Sequence, residues 1–229
     1  MTASVIIRVK NEAENIKQLL TLLQQQTFQD FEIVIVDDSS TDESAEVAFN
    51  YFPAERIRVV RLERAFNYAY ASNVGAAHAK GKYLVYVSAH SFPLSNTWLA
   101  DGLVHFSNIK VAGVFALPLA HANTNIVEKL FINIPTVLRH SKLKRYTSPV
   151  LGVMGATNAI FRKDLWEAYH FSEEFVIGGE DYDWACHFLA QGYVAVHDPK
   201  FRVRHSHHLG LFGLISQGFK YQRMMKPSR

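Results

Sequence analysis

Only one cysteine, Cys186, occurs in the 229 residues. No internal disulfide can form and no cysteine-based zinc cage is possible, which points to a reducing, cytoplasmic compartment. Long apolar runs are missing as well, since none approaches the ~20 residues that span a bilayer. The opening Met1-Thr2-Ala3-Ser4-Val5-Ile6-Ile7-Arg8 runs straight into a strand pattern and lacks a signal-peptide core. A soluble or peripheral protein is expected. There is no large excess of one charge: the formal net charge is +3, and no basic run is long enough to mark a nucleic-acid binder. A GxGxxG or Walker-type glycine loop is absent, which sets aside an NAD fold or a P-loop. Repeats, low-complexity segments and linkers are absent too, so one domain over residues 1–229 is the economical reading.

Hydrophobic periodicity fills in the rest. Ser4 to Val9, Phe31 to Val36 and Ile57 to Leu62 read as strands, and Tyr83 to Val87 as a fourth. Between them, Asn11 with Glu14 resembles a capping box that opens a helix to about Gln26. Ser40 or Thr41 is expected to cap a second helix over Glu43 to Tyr51. A third runs from about Tyr68 to Ala79, with Gly81 as its C-cap. This βαβαβ order argues an α/β fold with a mainly parallel central sheet flanked by helices. The second half is less regular. It reads as a helix over Thr97 to Phe106, a strand over Val111 to Leu117 and a poorly patterned stretch from His121 to Val150. That stretch carries the bases Arg139, Lys142, Lys144 and Arg145. Shorter strands follow at Ala159 to Phe161, Tyr193 to Val196 and Phe201 to Arg204. The helices near Lys163 to Tyr169 and from Glu180 to Gln191 lie between them, the latter closed by Gly192.

Polar groups at strand ends are the candidates for chemistry, because open α/β sheets bind ligands outside the carboxyl ends of their strands. Val85-Tyr86-Val87 gives way abruptly to Ser88-Ala89-His90. Asp37 and Asp38 end the second strand, where a carboxylate can hold a base or ribose or simply cap the next turn. Arg8 and Lys10 end the first, free to pair with those acids or to meet an anion. Gly178-Gly179-Glu180-Asp181-Tyr182-Asp183 sets three acids at a helix start. The macrodipole alone favours acids there by ~0.3–1 kcal/mol, but two glycines beside them suit a presented general base. In His205-Ser206-His207-His208, alternation would turn His205 and His207 to one face, and His90 could join one of them in space. Cys186 reads as a core thiol, and His78, His105, His187 and His197 as surface residues.

Together these segments resemble the inverting family 2 glycosyltransferases with the GT-A, Rossmann-like fold, from Ser4 to about His208. The resemblance rests on Ser4 to Glu12, Ile33 to Asp42, Asn73-Val74-Gly75, Ala79 to Val85, Gly155 to Arg162 and Gly179 to Trp184. It implies a nucleotide-binding half over 1–91, an acceptor half over 92–208 and a tail over 209–229. The implied activity is transfer of a sugar from a nucleotide-diphosphate sugar to an acceptor hydroxyl with inversion, in bacterial-type polysaccharide or glycoconjugate synthesis. Arg8 and Lys10 would border the base, and Asp38, or Asp37 beside it, would hold base or ribose. The Arg64 to Asn73 stretch would approach the pyrophosphate. The family often has an arginine six residues before that asparagine, but this chain has Asn67, so either Arg64 substitutes or that contact is missing. Asp181 matches the general base, with Glu180 and Asp183 orienting acceptor and helix.

The departure lies at the end of the fourth strand. The family's Asp-x-Asp reads Ser88-Ala89-His90 here. One implied outcome is a divalent ion, Mn²⁺ or Mg²⁺, held by His90, His205 and the diphosphate. The other is no metal, with cations such as Arg64 or a histidinium stabilising the leaving group. Two rivals remain open. A catalytically inactive sugar- or nucleotide-binding relative is favoured by the missing acids and opposed by the retained Glu180-Asp181-Tyr182-Asp183. A GT-A-like nucleotidyltransferase would want a basic, glycine-rich loop where Asn11-Glu12-Ala13-Glu14 stands. The tail is apolar from Leu209 to Ile215 and then basic at Lys220, Arg223, Lys226 and Arg229. It could lie on an anionic membrane surface, at the inner face if the acceptor is a lipid-linked sugar, or pack as a C-terminal helix or homodimer contact.

Overall fold

The computed structural model describes residues 1–150, 152–210, 212–214, 216 and 219. In chain order its main elements begin with β1 (Ala3–Val9), α1 (Ala13–Gln24), β2 (Phe31–Asp37), β3 (Ile57–Arg61), α2 (Tyr68–His78) and β4 (Tyr83–Ser88). The second half supplies β5 (Phe92–Pro93), α3 (Trp98–Leu103), β6 (Val111–Phe115), α4 (Ile126–His140), β7 (Lys144–Tyr146) and β8 (Asn158–Arg162). It ends with α5 (Lys163–Ala168), α6 (Glu180–Ala190), β9 (Val194–His197) and β10 (Val203–Arg204). Eight strands form one sheet in the order β3-β2-β1-β4-β8-β6-β9-β7, and β5 pairs with β10 in a small second ribbon.

Strands β3, β2, β1 and β4 are parallel, whereas β8 runs antiparallel to both β4 and β6. Strands β1, β2 and β4 are buried along nearly their whole length, as expected where helices cover both faces, and β3 is the part-exposed edge. One face packs on α1, Trp98 and Phe201; the other packs on α2, Trp184 and Phe188. The register matters most for function. Arg8 lies beside Val36 on one side and Ser88 on the other, and Val9 lies beside Asp37. Three strand ends that carry polar groups therefore finish level with one another. Gly81 sets that alignment rather than capping α2, whose C-cap is Ala79. A Cβ at position 81 would lie 2.4 Å from the Ala3 carbonyl carbon and 2.6 Å from the Ser4 nitrogen. Only glycine lets the chain pass β1 so closely.

Four local expectations are corrected. Asn11 does not cap α1; it takes a left-handed φ of 54°, and its Oδ1 accepts the Thr41 N–H at 2.8 Å. The free amides ahead of α1 are met by the following loop: Ser44 Oγ accepts from Glu12 N–H at 2.7 Å and an Asp42 oxygen from Ala13 N–H at 3.1 Å. That loop is therefore committed to β1 and α1, and the helix expected over Glu43 to Tyr51 shrinks to one 3₁₀ turn, Val47–Asn50. Cys186 is half-buried beside Tyr182 rather than a core thiol. His197 is fully buried on β9 rather than a surface residue; burial and the neighbouring His140 push its pKa down to about 4.

Candidate active site

A cleft of about 780 Å³ lies across the level ends of β1 and β4 and the start of the loop after β2. Arg8, Lys10, Asp38, Ser88 and His90 line it, with Phe66 and Tyr68 forming an aromatic wall. The Lys10 ammonium donates to Asp38 at 2.8 Å. The Arg8 guanidinium donates to Ser72 Oγ at 2.8 Å, lies 5.4 Å from the Tyr68 ring centre and sits 3.7 Å from a Glu180 oxygen. Arg8 thus joins the cleft to the acids of α6.

At the Ser88–His90 edge three histidines converge. The ligand nitrogens of His90, His205 and His207 all lie within 4.8 Å of one another. The His90 and His205 rings stack at 4.7 Å, and the Nε2 atoms of His205 and His207 are 3.1 Å apart. Partners behind the rings fix their orientation. His90 Nδ1 lies 3.1 Å from Glu12 Oε1. A carboxylate can only accept, so Nδ1 is the donor and Nε2 is the nitrogen left for a ligand. That Nε2 is buried without a hydrogen-bond partner among the described residues. His205 Nδ1 is bonded to Ser91 Oγ at 3.0 Å. Burial, reinforced by the neighbouring imidazoles, drives the His205 pKa well below its ordinary value and lowers that of His207. Imidazoles whose outer nitrogens are tied to a carboxylate and a hydroxyl are suited to a divalent ion. His207, Glu12 and Ser91 were not singled out from sequence as metal residues; the His205/His207 alternation was the available signal.

The acids are built differently. Gly178 and Gly179 take φ of 107° and 106°, a left-handed turn that glycine adopts without strain and that starts α6 abruptly. Asp181 then accepts the Ala156 N–H at 2.7 Å through Oδ2 and the Tyr182 N–H at 2.7 Å through Oδ1. Ala156 precedes Thr157, which lines the cleft. Glu180 is buried, and its Oε2 has no hydrogen-bond partner among the described residues. Burial pushes both carboxyls up; Asp181 adds to the rise in Glu180, and the two amide bonds counter it at Asp181. Asp183 points to the other side of α6, where it accepts from the Tyr169 hydroxyl at 2.9 Å.

The remaining candidates serve the scaffold around the cleft. Asp37 is fully buried and accepts from Ser40 N–H at 3.1 Å. Asn67 caps α2 by accepting from Tyr70 N–H at 3.1 Å, and donates to the Glu173 carbonyl. Asn73 accepts from Trp166 Nε1 and Phe171 N–H and donates to the Phe171 carbonyl. Arg64 is bound to Glu173 and lies 3.7 Å from the Tyr70 ring centre, outside the cleft lining.

A parallel sheet extended by antiparallel β8, with its cleft over the strand ends, is the GT-A architecture of nucleotide-sugar transferases. The chain belongs to glycosyl transferase family 2, whose family model matches residues 4–169. That stretch ends before α6. Among curated relatives, the glycosyltransferase GlyG of Streptococcus pneumoniae serotype 4 is 32% identical over 94 residues, covering 41% of this chain and 31% of that protein. AglE of Haloferax volcanii is 26% identical over 195 residues, covering 83% and 62%. The O-antigen chain rhamnosyltransferase WbaN of Salmonella anatum is 25% identical over 189 residues, covering 80% and 59%. The chain thus spans from about a third to three fifths of these relatives. In fold it is similar to a mannosyltransferase of Pyrobaculum calidifontis in complex with GDP-Man and Mn²⁺, with a TM-score of 0.75 at 21% identity, covering 97% of this chain and 61% of that one. TarS 1–349 of S. aureus in complex with UDP-GlcNAc gives 0.66 at 19% identity, covering 91% and 60%. Among the described residues no helix is long and apolar enough to cross a membrane.

Proposed function

We propose that the chain transfers a sugar from a nucleotide-diphosphate sugar to an acceptor hydroxyl with inversion, in polysaccharide or glycoconjugate assembly. The observation that carries this reading is the level register of β1, β2 and β4. It brings Arg8, Lys10, Asp38, Ser88 and His90 to one cleft, while Asp181 is fastened one residue from the cleft wall at Thr157. Base and ribose lie over Arg8, Lys10 and Asp38, and the diphosphate lies at Ser88 and the histidines. Asp181 takes the proton from the acceptor hydroxyl as that oxygen bonds to the anomeric carbon and the bond from that carbon to the diphosphate breaks. Its raised pKa favours this role, since a base with a higher pKa accepts a proton more readily. Glu180, balanced by Arg8, fixes the start of α6, and Asp183 anchors the helix to Tyr169.

A divalent ion fits His90, His205 and His207. Such an ion supplies charge neutralisation for the departing diphosphate. Imidazoles suit Mn²⁺ better than Mg²⁺, which prefers oxygen ligands. The test is a donor-hydrolysis screen over UDP-, GDP- and dTDP-sugars, with and without Mn²⁺, on the wild type and Asp181→Asn. The reading predicts one preferred donor, stimulation by Mn²⁺ and near-complete loss in the variant. Full activity in chelator removes the metal from the reading, and full activity in Asp181→Asn removes the base.

A further inference from the structure

Helix α4 is built with its polar side inward. Glu128 and Thr136 are its buried residues, and Asn133 accepts the Ala120 N–H at 2.8 Å. Glu128 also accepts the His207 backbone N–H at 2.9 Å, and Arg202 donates to the carbonyls of Thr136 and His140. The outward side is apolar. Ile126, Leu130, Phe131, Ile134, Val137 and Leu138 are 65%, 52%, 53%, 48%, 51% and 76% exposed. At a helical period these six fall within an arc of about 140°. Single apolar residues on a surface are ordinary, but a continuous stripe marks something that covers it.

Charge identifies the cover. Residues 121–150 hold five bases (Lys129, Arg139, Lys142, Lys144 and Arg145) and one acid, Glu128. That acid is buried, whereas Arg139, Lys142, Lys144 and Arg145 are exposed where the helix ends. We propose that α4 lies in the surface of an anionic lipid bilayer, with its apolar stripe in the acyl boundary and the Arg139–Arg145 bases on lipid phosphates. Its 15 residues extend about 22 Å, too short to cross a bilayer. A second copy of the chain, meeting α4 by two-fold symmetry, would bring these bases no exposed acid from its own α4 stretch, whose only acid, Glu128, is buried. Residues 209–229 carry Lys220, Arg223, Lys226 and Arg229 and no acid, so that stretch is no better matched. Because the inner face of α4 is bonded at His207, a docked α4 would hold the histidine edge of the cleft near the lipid, in reach of a lipid-linked acceptor. That consequence rests on the transferase reading; the docking itself does not.

The test is co-sedimentation of the full chain, without donor, with vesicles of phosphatidylcholine alone and of phosphatidylcholine and phosphatidylglycerol in equal parts. The wild type is expected to bind the mixed vesicles and remain in solution with the neutral ones. The double variant Leu130→Glu/Phe131→Glu should lose binding at least ~10-fold, and Lys142→Glu/Lys144→Glu should weaken it by a similar factor and flatten its salt dependence. All four positions are exposed, so the circular dichroism spectrum and donor hydrolysis in solution should stay at wild-type levels. Undiminished binding by the Leu130→Glu/Phe131→Glu variant overturns the proposal. So does a wild type that ignores both vesicles, whether it sediments as a dimer that this variant breaks or as a monomer whose α4 is covered from within.

Discussion

The acids of α6 and the histidines at the end of β4 solve one problem, holding ionisable groups at a cleft, in opposite ways. Glu180 and Asp181 are adjacent in sequence and held by a glycine turn, a helix start and two backbone amides. His90 lies more than a hundred residues before His205 and His207, and the side chains of Glu12 and Ser91 hold His90 and His205. Burial acts on both, raising the carboxyls of Glu180 and Asp181 and lowering the imidazoles of His205 and His207. These four groups are thereby pushed towards their neutral forms. In the proposed reading the two sets do different work: proton transfer falls to the acids and nitrogen ligation of a metal to the histidines.

The sharpest way to break this division is at Asp181. Asp181→Asn keeps the shape of the side chain and removes the base, so transfer should fall about 10²- to 10⁴-fold while nucleotide binding, measured by calorimetry, changes little. Equal loss of both would make Asp181 a scaffold residue. On the other side, His205→Ala should weaken Mn²⁺ binding at least ~10-fold, with a smaller effect from Glu12→Gln, which acts only through the orientation of His90. A metal affinity indifferent to both would dissolve the histidine half of the comparison.

Asn73→Ala offers a control at a residue that serves the scaffold. Removing its three hydrogen bonds to Trp166 and Phe171 should cost about 1–3 kcal/mol in denaturant unfolding, with the activity per folded molecule unchanged. The smallest effect is one of pH. The raised carboxyls contribute stability at low pH that is lost as pH rises through their folded pKa values. The lowered imidazoles contribute stability above the ordinary histidine pKa that is lost as pH falls. Glu180→Gln removes part of the first contribution, so between about pH 5 and about pH 8 the variant should lose less thermal stability than the wild type. A parallel pair of curves would mean that Arg8 fully compensates Glu180.

What could be read from sequence follows the same divide. The βαβαβ start was legible because each strand is a short segment rich in β-branched residues, bounded by local turn signals. The acids at the start of α6 were legible because glycines and carboxylates are contiguous. The helix expected over Glu43 to Tyr51 was not, because Ser40, Asp42 and Ser44 spend their side chains on the amides ahead of α1. Gly81 looked like a helix cap, since nothing local reveals that β1 passes within contact of it. His207 and Glu12 gain meaning only when β4, the β1–α1 loop and the segment after β10 meet. The inverted polarity of α4 was equally hidden, because a stripe of apolar residues reads the same whether it faces a core or the outside.

The central claim is that three imidazoles replace the family's paired acids at the end of β4. Pulsed electron paramagnetic resonance of Mn²⁺ bound with a nucleoside diphosphate tests it most directly. The account predicts nitrogen couplings from directly bound histidines that diminish in His207→Ala and in His90→Ala. Mn²⁺ that binds with no nitrogen coupling, or with couplings unaltered by either substitution, would contradict it.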